Sequence, residues 1–195
     1  MTPEIVTERL RLKPLSLEDA DAMQIAFPRW EIVRYLIDSV PWPYPEGGAR
    51  DYIANVALPA VAAGTGWYWT LRPKTAEQQL IGVICLMETP DNNRGFWLVP
   101  EWQGQGYMTE ACLAVTDYWF TDLKKPLLRT PKAALNQRSV NISVNSGMRC
   151  IRTEKKQYVS GTHDSQLWEV TREEWQAFRA SQTSAVHPLT KIRSR

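Results

Sequence analysis

The stretch Gly95–Ala111, GFWLVPEWQGQGYMTEA, decides the fold. A short aromatic strand runs into Pro100, a turn carrying Gly104 and Gly106 follows, and an amphipathic helix starts at Tyr107 and reaches about Leu123. Glycines without a Cβ let successive backbone N–H groups approach a ligand closely and adopt positive φ. The helix behind them aims its unpaired first-turn donors and positive dipole end at the same point. That order of elements suggests a site for an anion such as phosphate. The plainer reading is a turn that starts a helix and binds nothing. Known nucleotide signatures do not fit, because the third glycine of a dinucleotide fingerprint and the Gly-Lys-Ser/Thr of a P-loop are both missing.

A resemblance at two separated places favours the ligand. Gln103-Gly104-Gln105-Gly106-Tyr107-Met108 resembles the pyrophosphate loop of the GNAT acetyltransferase superfamily, Gln/Arg-x-x-Gly-x-Gly/Ala. The flanking WLVPEW and TEA resemble its branch that acetylates ribosomal-protein N-termini. Downstream, Asn136-Gln137-Arg138-Ser139 and Ser146-Gly147-Met148 resemble that branch's second cofactor element, an Asn-x-x-Ser helix closed by a glycine turn. The resemblance extends from TERLRLKPLSLEDADAM near the start to about Val170.

The rest of the chain is compatible with this. With 195 residues, 44% hydrophobic and 23% charged, it can form a domain with a sizeable core. A net charge of +2 gives no footprint for nucleic acid or an anionic membrane. Local basic clusters at Arg149–Lys156 and Lys191–Arg195 read as a solvated strand face and a tail. Cys85, Cys112 and Cys150 lie far apart in apolar contexts, which predicts reduced, buried thiols. His163 and His187 are the chain's histidines and neither neighbours a cysteine, so no metal site is expected. The N-terminus carries Glu4, Glu8 and Arg9 in place of a long apolar run, which predicts no membrane span and a cytoplasmic protein.

Periodicity predicts a strand over Val6–Lys13, a helix capped by Ser16 and Asp19 to about Ile25, a short helix and then a loop around Pro41, Pro43 and Pro45, and a helix from Glu46 to Ala63 bent or shortened by Pro59. Strands over Gly66–Arg72, Leu80–Met87 and Arg94–Leu98 follow as an antiparallel meander. After the Tyr107 helix come a strand over Leu128–Ala133, a helix over Gln137–Asn145, strands over Arg149–Val159 and Gln166–Val170, and a helix opened by the Thr171–Glu174 capping box and ending near Ala180. Residues 1–180 thus read as one acetyltransferase-like domain and 181–195 as a mobile tail. The implied fold is α/β with an α+β mixed sheet, mostly antiparallel, splayed at the cofactor cleft and covered by helices on both faces.

The resemblance implies acetyl-CoA as co-substrate. Leu98 and Val99 would hold the pantetheine arm, Gln103, Gly104, Gln105, Gly106, Tyr107 and Met108 the pyrophosphate, and Asn136 with Ser139 the thioester end. The implied reaction is attack of a primary amine, on a small molecule or a peptide or protein N-terminus, at the thioester. A neutral amine is easier to obtain from an α-amino group, pKa about 8, than from a lysine near 10.4. A backbone N–H near Val99 would serve the oxyanion, and a proton donor would help the departing thiolate. Many relatives supply that donor with a tyrosine where this chain has Ser143, so Ser139 is the candidate, with a first-turn residue bonded only to backbone as its other reading. Met108 stands where a small residue is usual and either crowds the pyrophosphate or packs beneath the helix. Glu88, Glu154 and Glu101 are candidate bases, and a water wire or no base at all is the alternative for an α-amine. Trp30, Tyr35, Trp42, Tyr44, Trp67 and Trp69 are candidate acceptor walls. A non-catalytic acyl-CoA-binding or regulatory module remains the second reading, and the sequence leaves a homodimer open.

Overall fold

The order of elements follows from where the chain changes period. The structure, a computed structural model, describes residues 1–185. Its strands are β1 Ile5–Val6, β2 Leu10–Pro14, β3 Gly66–Pro73, β4 Gly82–Met87, β5 Arg94–Leu98, β6 Leu127–Ala133, β7 Arg149–Tyr158 and β8 Gly161–Thr171. Its α-helices are α1 Ala20–Ala26, α2 Trp30–Val33, α3 Gly48–Tyr52, α4 Leu58–Ala62, α5 Tyr107–Thr121, α6 Gln137–Asn145 and α7 Arg172–Ala185. Strands β1 to β5 form one antiparallel sheet in sequence order, and β6, β8 and β7 form a second in that spatial order.

The central strand β3 is buried on both faces, and its alternation assigns the layers. Trp67 and Trp69 meet Trp119 and Tyr118 of α5 edge to face, whereas the intervening Tyr68 meets Tyr52 of α3. Helices therefore cover both faces, and Trp67 and Trp69 are core residues, not acceptor walls. Trp30 and Trp42 remain half-exposed and tilted together, 5.6 Å between ring centroids.

The two sheets meet at one point. Asn93 N–H donates to the Arg129 carbonyl at 2.7 Å, Arg129 N–H to Asn93 Oδ1 at 2.8 Å, and Thr130 Oγ1 to the Arg94 carbonyl at 3.0 Å. These residues stand at the start of β5 and in the middle of β6. Because Arg129 turns its backbone toward β5, residue 131 does so too, and residue 131 is proline, with no N–H to give. Among the described residues no backbone bond joins the strands beyond this junction, and they diverge toward Leu98 and Ala133.

Local differences from the sequence reading have local causes. The expected strand Val6–Lys13 is a hairpin, β1 and β2, turned where Thr7 N–H meets the Leu10 carbonyl. The expected helix over Glu46–Ala63 starts at Gly48 and contains a wide π turn, Ile53–Ala57, just ahead of Pro59, which lacks the donor that a continuous α-helix needs. Helix α7 passes Ala180 to reach Ala185, since neither glycine nor proline interrupts RASQTSA, and the rest of the expected tail, 186–195, lies outside the described residues. No helix among the described residues is long and apolar enough to cross a membrane.

The cysteines divide. Cys85 and Cys112 are buried, and burial pushes the Cys85 thiol up to about 12. Cys150 is exposed, contrary to the expectation of a buried thiol, because β7 is the outer strand of its sheet. A thiol reagent at neutral pH should therefore modify Cys150 in the folded chain and leave Cys85 and Cys112 until denaturant is added. Peptide mapping after brief alkylation checks this, and rapid labelling at Cys85 would contradict the packing.

Candidate active site

The glycine turn stands at the open end of the β5/β6 divide. Gly104 and Gly106 take φ of +77° and +83°, and a Cβ on Gly104 would meet nothing within 4 Å, so that side of the turn is free. Gly106 begins α5 with no side-chain cap, which leaves the first-turn donors of a long helix without a protein acceptor in the cap position. The turn's own side chains brace it. Gln103 Nε2 donates to the Leu98 carbonyl at 2.7 Å and Gln105 Nε2 to the Glu101 carbonyl at 3.0 Å. Arg138 of α6 donates to Gln103 Oε1, linking the two sequence motifs across the divide.

A second brace comes from the N-terminal hairpin. Arg9 lies over the Tyr107 ring at 4.4 Å, donates to the Gln105 carbonyl at 2.9 Å and pairs with Glu110 at 2.7 Å. Glu110 also accepts from Thr7 Oγ1 and Arg9 N–H. Burial acts to raise the Glu110 carboxyl, but the hydrogen bonds from Thr7 and Arg9 outweigh it and leave it below its ordinary value of 4.5. The turn is held in shape before any ligand arrives, with Arg9 on one side and Arg138 on the other supplying positive charge.

Helix α6 forms the other wall. Asn136 caps it through Oδ1, which accepts from Ser139 N–H at 3.4 Å. Gly147, at φ +70°, turns the chain out of it beside Phe178. Ser139 is buried, and its Oγ accepts a hydrogen bond from Lys132 Nζ at 2.9 Å, so it does more than bond to backbone. Lys132 comes from β6, is itself buried, and lies over the Phe96 ring of β5 at 4.6 Å, spanning the divide. Burial first, then Arg94, bring its ammonium down to about 7, with Cys112 acting slightly the other way.

Several expected residues stand elsewhere. Val99 N–H donates to the Ile81 carbonyl at 2.9 Å and is not free for an oxyanion. Strand alternation turns the N–H groups of Phe96 and Leu98 away from β4 and toward the divide. Met108 packs in the core under α5. Ser143 is fully buried, and its hydroxyl has no partner among the described residues. Glu88 follows the far end of β4 and pairs with Lys125, away from the glycine turn. Glu154 lies on the outer strand β7, where Lys156 foremost lowers its carboxyl, and Glu101 pairs with Arg29. None of these three glutamates is brought to the Ser139 wall. Missed in the sequence were Lys132, Arg9 and Arg138. Lys132 carried a signal, since it is a charged residue in phase with the inward-facing Leu128 and Thr130.

Residues 9–149 match the acetyltransferase (GNAT) domain. The chain belongs to the GNAT acetyltransferases. It is therefore an acetyl-CoA-dependent N-acetyltransferase, and the non-catalytic alternative is not favoured. No curated protein matches its sequence. Among solved structures it is similar to the ribosomal-protein-S5-alanine acetyltransferase from Vibrio fischeri, with TM-score 0.74 and 16% identity over 89% of this chain and 98% of that one. It is also similar to a GNAT-family acetyltransferase from Bacillus anthracis, with TM-score 0.72 and 18% identity over 88% and 99% of the two chains. A third similar structure is the ribosomal L7/L12 α-N-protein acetyltransferase RimL in complex with coenzyme A, with TM-score 0.74 and 15% identity over 87% and 98%. At these identities the likeness concerns the fold.

The Glu110 brace predicts a pH-dependent stability. Its depressed carboxyl stabilises the fold above the ordinary value of 4.5 and loses that contribution as pH falls through the folded value. Glu110→Gln should lower the unfolding free energy by about 1–2 kcal/mol at neutral pH. Denaturant titrations at several pH values should show this difference shrink below pH 4.5, and a constant difference would contradict the assignment.

Proposed function

We infer that this acetyltransferase modifies the α-amino group of a peptide or protein N-terminus, using the glycine turn for the pyrophosphate of acetyl-CoA and the β5/β6 divide for its pantetheine arm. The observation that carries the reading is the divide itself, which opens at a braced, positively flanked turn and has a buried serine on its wall. When bound, acetyl-CoA supplies an activated thioester carbonyl, and the chain's residues bind and orient it. Turn N–H groups and Arg9 and Arg138 would meet the phosphates. The cleft-facing N–H of Phe96 or Leu98 would hold the carbonyl oxygen as it gains charge, an arrangement that stabilises acyl transfer without reorganisation. Asn136, whose amide nitrogen has no protein partner among the described residues, would hold the arm near Ser139, which faces the departing sulfur.

An N-terminal acceptor suits this site because, among the described residues, no free carboxylate is bonded to Ser139 to act as a base. An α-amino group of pKa about 8 is partly neutral at physiological pH, whereas a lysine near 10.4 needs its proton removed. The half-exposed Trp30 and Trp42 would offer apolar surface to the first side chains of a peptide. The substrates named for two of the similar structures, ribosomal proteins, are in keeping with a polypeptide acceptor.

Calorimetry with acetyl-CoA should give a dissociation constant of about 1–100 μM for the natural chain. Gly106→Asp should abolish this binding, since it places a carboxylate in the turn and a side chain on a positive-φ residue beside Arg9. Acetylation of peptides with free N-termini, and none of the same peptides with blocked N-termini and an internal lysine, is the expected acceptor result. Binding unaffected by Gly106→Asp would overturn the placement, and transfer only to lysine or to small amines would overturn the acceptor.

A further inference from the structure

A buried ammonium normally has a carboxylate partner, because an unpaired charge in the interior is costly. Among the described residues Lys132 has none. The groups that face it are Arg94 on β5, Cys112 on α5 and Ser139 on α6, with the Phe96 ring over its nitrogen. On β8 its register neighbour is the uncharged Gln166. Of the two β8 carboxylates, Asp164 is exposed and pairs with Lys155 of β7, whereas Glu169 stands opposite Arg129, on the other face of the sheet, and is held by Arg129 and Arg149. Among the described residues the polar atom bonded to the Lys132 ammonium is Ser139 Oγ.

That bond has a direction. An ammonium only donates, so Ser139 Oγ must accept, and its hydroxyl hydrogen is left to point elsewhere. No acceptor takes that hydrogen among the described residues. A neutral Lys132 would instead accept it and turn the hydroxyl away from the divide. Resting on the acetyl-CoA placement above, we propose that Lys132 is the positioning residue of the transfer: it fixes Ser139 as a donor to the departing sulfur and replaces the proton that Ser139 gives up. As the amine nitrogen bonds to the carbonyl carbon and the carbon–sulfur bond breaks, the electron pair of that bond goes to sulfur. Ser139 passes its hydroxyl proton to the sulfur, Lys132 passes an N–H proton to Ser139 Oγ, and the proton shed by the attacking nitrogen goes to solvent. Lys132 is left neutral and regains a proton from solvent before the next turnover. The products are an amide and a free thiol.

The route needs the protonated lysine. Its contribution is complete at low pH and lost as pH rises through the Lys132 value, about 7 in the ligand-free chain, while the neutral acceptor amine increases with pH. The natural chain should therefore show a falling limb in kcat at high pH. Lys132→Met should lower kcat by about 100-fold and remove that limb, while the acetyl-CoA dissociation constant stays within about threefold. Lys132→Arg, which keeps a charged donor on Ser139 but cannot lose its proton, should recover about tenfold and also lack the limb. Lys132→Met combined with Ser139→Ala should be no slower than Ser139→Ala alone. Independent, additive losses would overturn the proposal.

A readout apart from turnover comes from NMR titration of lysine side chains in the ligand-free protein, with the Lys132 signal identified by its loss in Lys132→Arg. Its midpoint should lie well below the usual value of about 10.4 and fall further in Ser139→Ala, where the ammonium loses its acceptor. A midpoint indifferent to Ser139→Ala would overturn the proposal, and this measurement stands even if Lys132→Met fails to fold. A natural chain that does not bind acetyl-CoA defeats the functional reading. One that binds and transfers while Lys132 and Ser139 act independently defeats this proposal alone.

Discussion

The divergence of β5 from β6 is the constraint on which the rest of the structure depends. Two strands joined where β5 starts and β6 is midway, by Asn93, Arg94, Arg129 and Thr130, would normally zip onward from there, since each unpaired backbone group in the interior is costly. Pro131 withholds the next donor on the β5 side while still allowing its opposite edge to pair with β8 through Leu167. Gln103 then takes the Leu98 carbonyl at the open end, so a side chain occupies an acceptor that a neighbouring strand would have used. The result is a slot lined by backbone N–H groups and held open by covalent chemistry and a local hydrogen bond.

Everything around the slot keeps its walls in register. Helix α5 is anchored on the first sheet by Trp67 against Trp119 and Trp69 against Tyr118, and at its start by Glu110 in the N-terminal hairpin. Helix α6 is anchored from the second sheet by Lys132. Arg94 ties the vertex together, donating to Thr116 of α5 at 2.7 Å and contacting Met148 beyond α6 at 3.6 Å. Among the described residues its Nε has no partner and no carboxylate pairs with its buried guanidinium, so positive charge accumulates at the closed end of the slot. Such a field costs stability in the resting protein and favours any species that gains negative charge there, as a departing thiolate does. Stability is given up where chemistry requires it.

Much of this was legible in the sequence where short-range rules apply. The meander β3 to β5, helix α5 and helix α6 lie where alternation, turn residues and caps placed them, because their signals are local. The hairpin of β1 and β2 was not legible, since the local turn that Thr7 makes with Leu10 is braced by Thr7 and Arg9 reaching Glu110, more than a hundred residues along the chain. The candidate glutamates failed for the same reason. A carboxylate's role depends on its cation, and the pairings of Glu88 with Lys125 and Glu101 with Arg29 are tertiary facts.

Lys132 is the instructive case, because its position was readable and its environment was not. In LLRTPKA the lysine falls in phase with Leu128 and Thr130, and strand alternation alone sends it inward. What the strand pattern cannot specify is that the facing helix offers a serine hydroxyl in place of a carboxylate. A carboxylate would have fixed the ammonium as a permanent charge and a structural pair. A hydroxyl in its place leaves the ammonium able to lose its proton near neutrality and leaves the hydroxyl one hydrogen to direct into the slot. The same proline that opens the slot sits next to this lysine, so the geometry of the cleft and the chemistry of its wall are set by adjacent residues, Pro131 and Lys132.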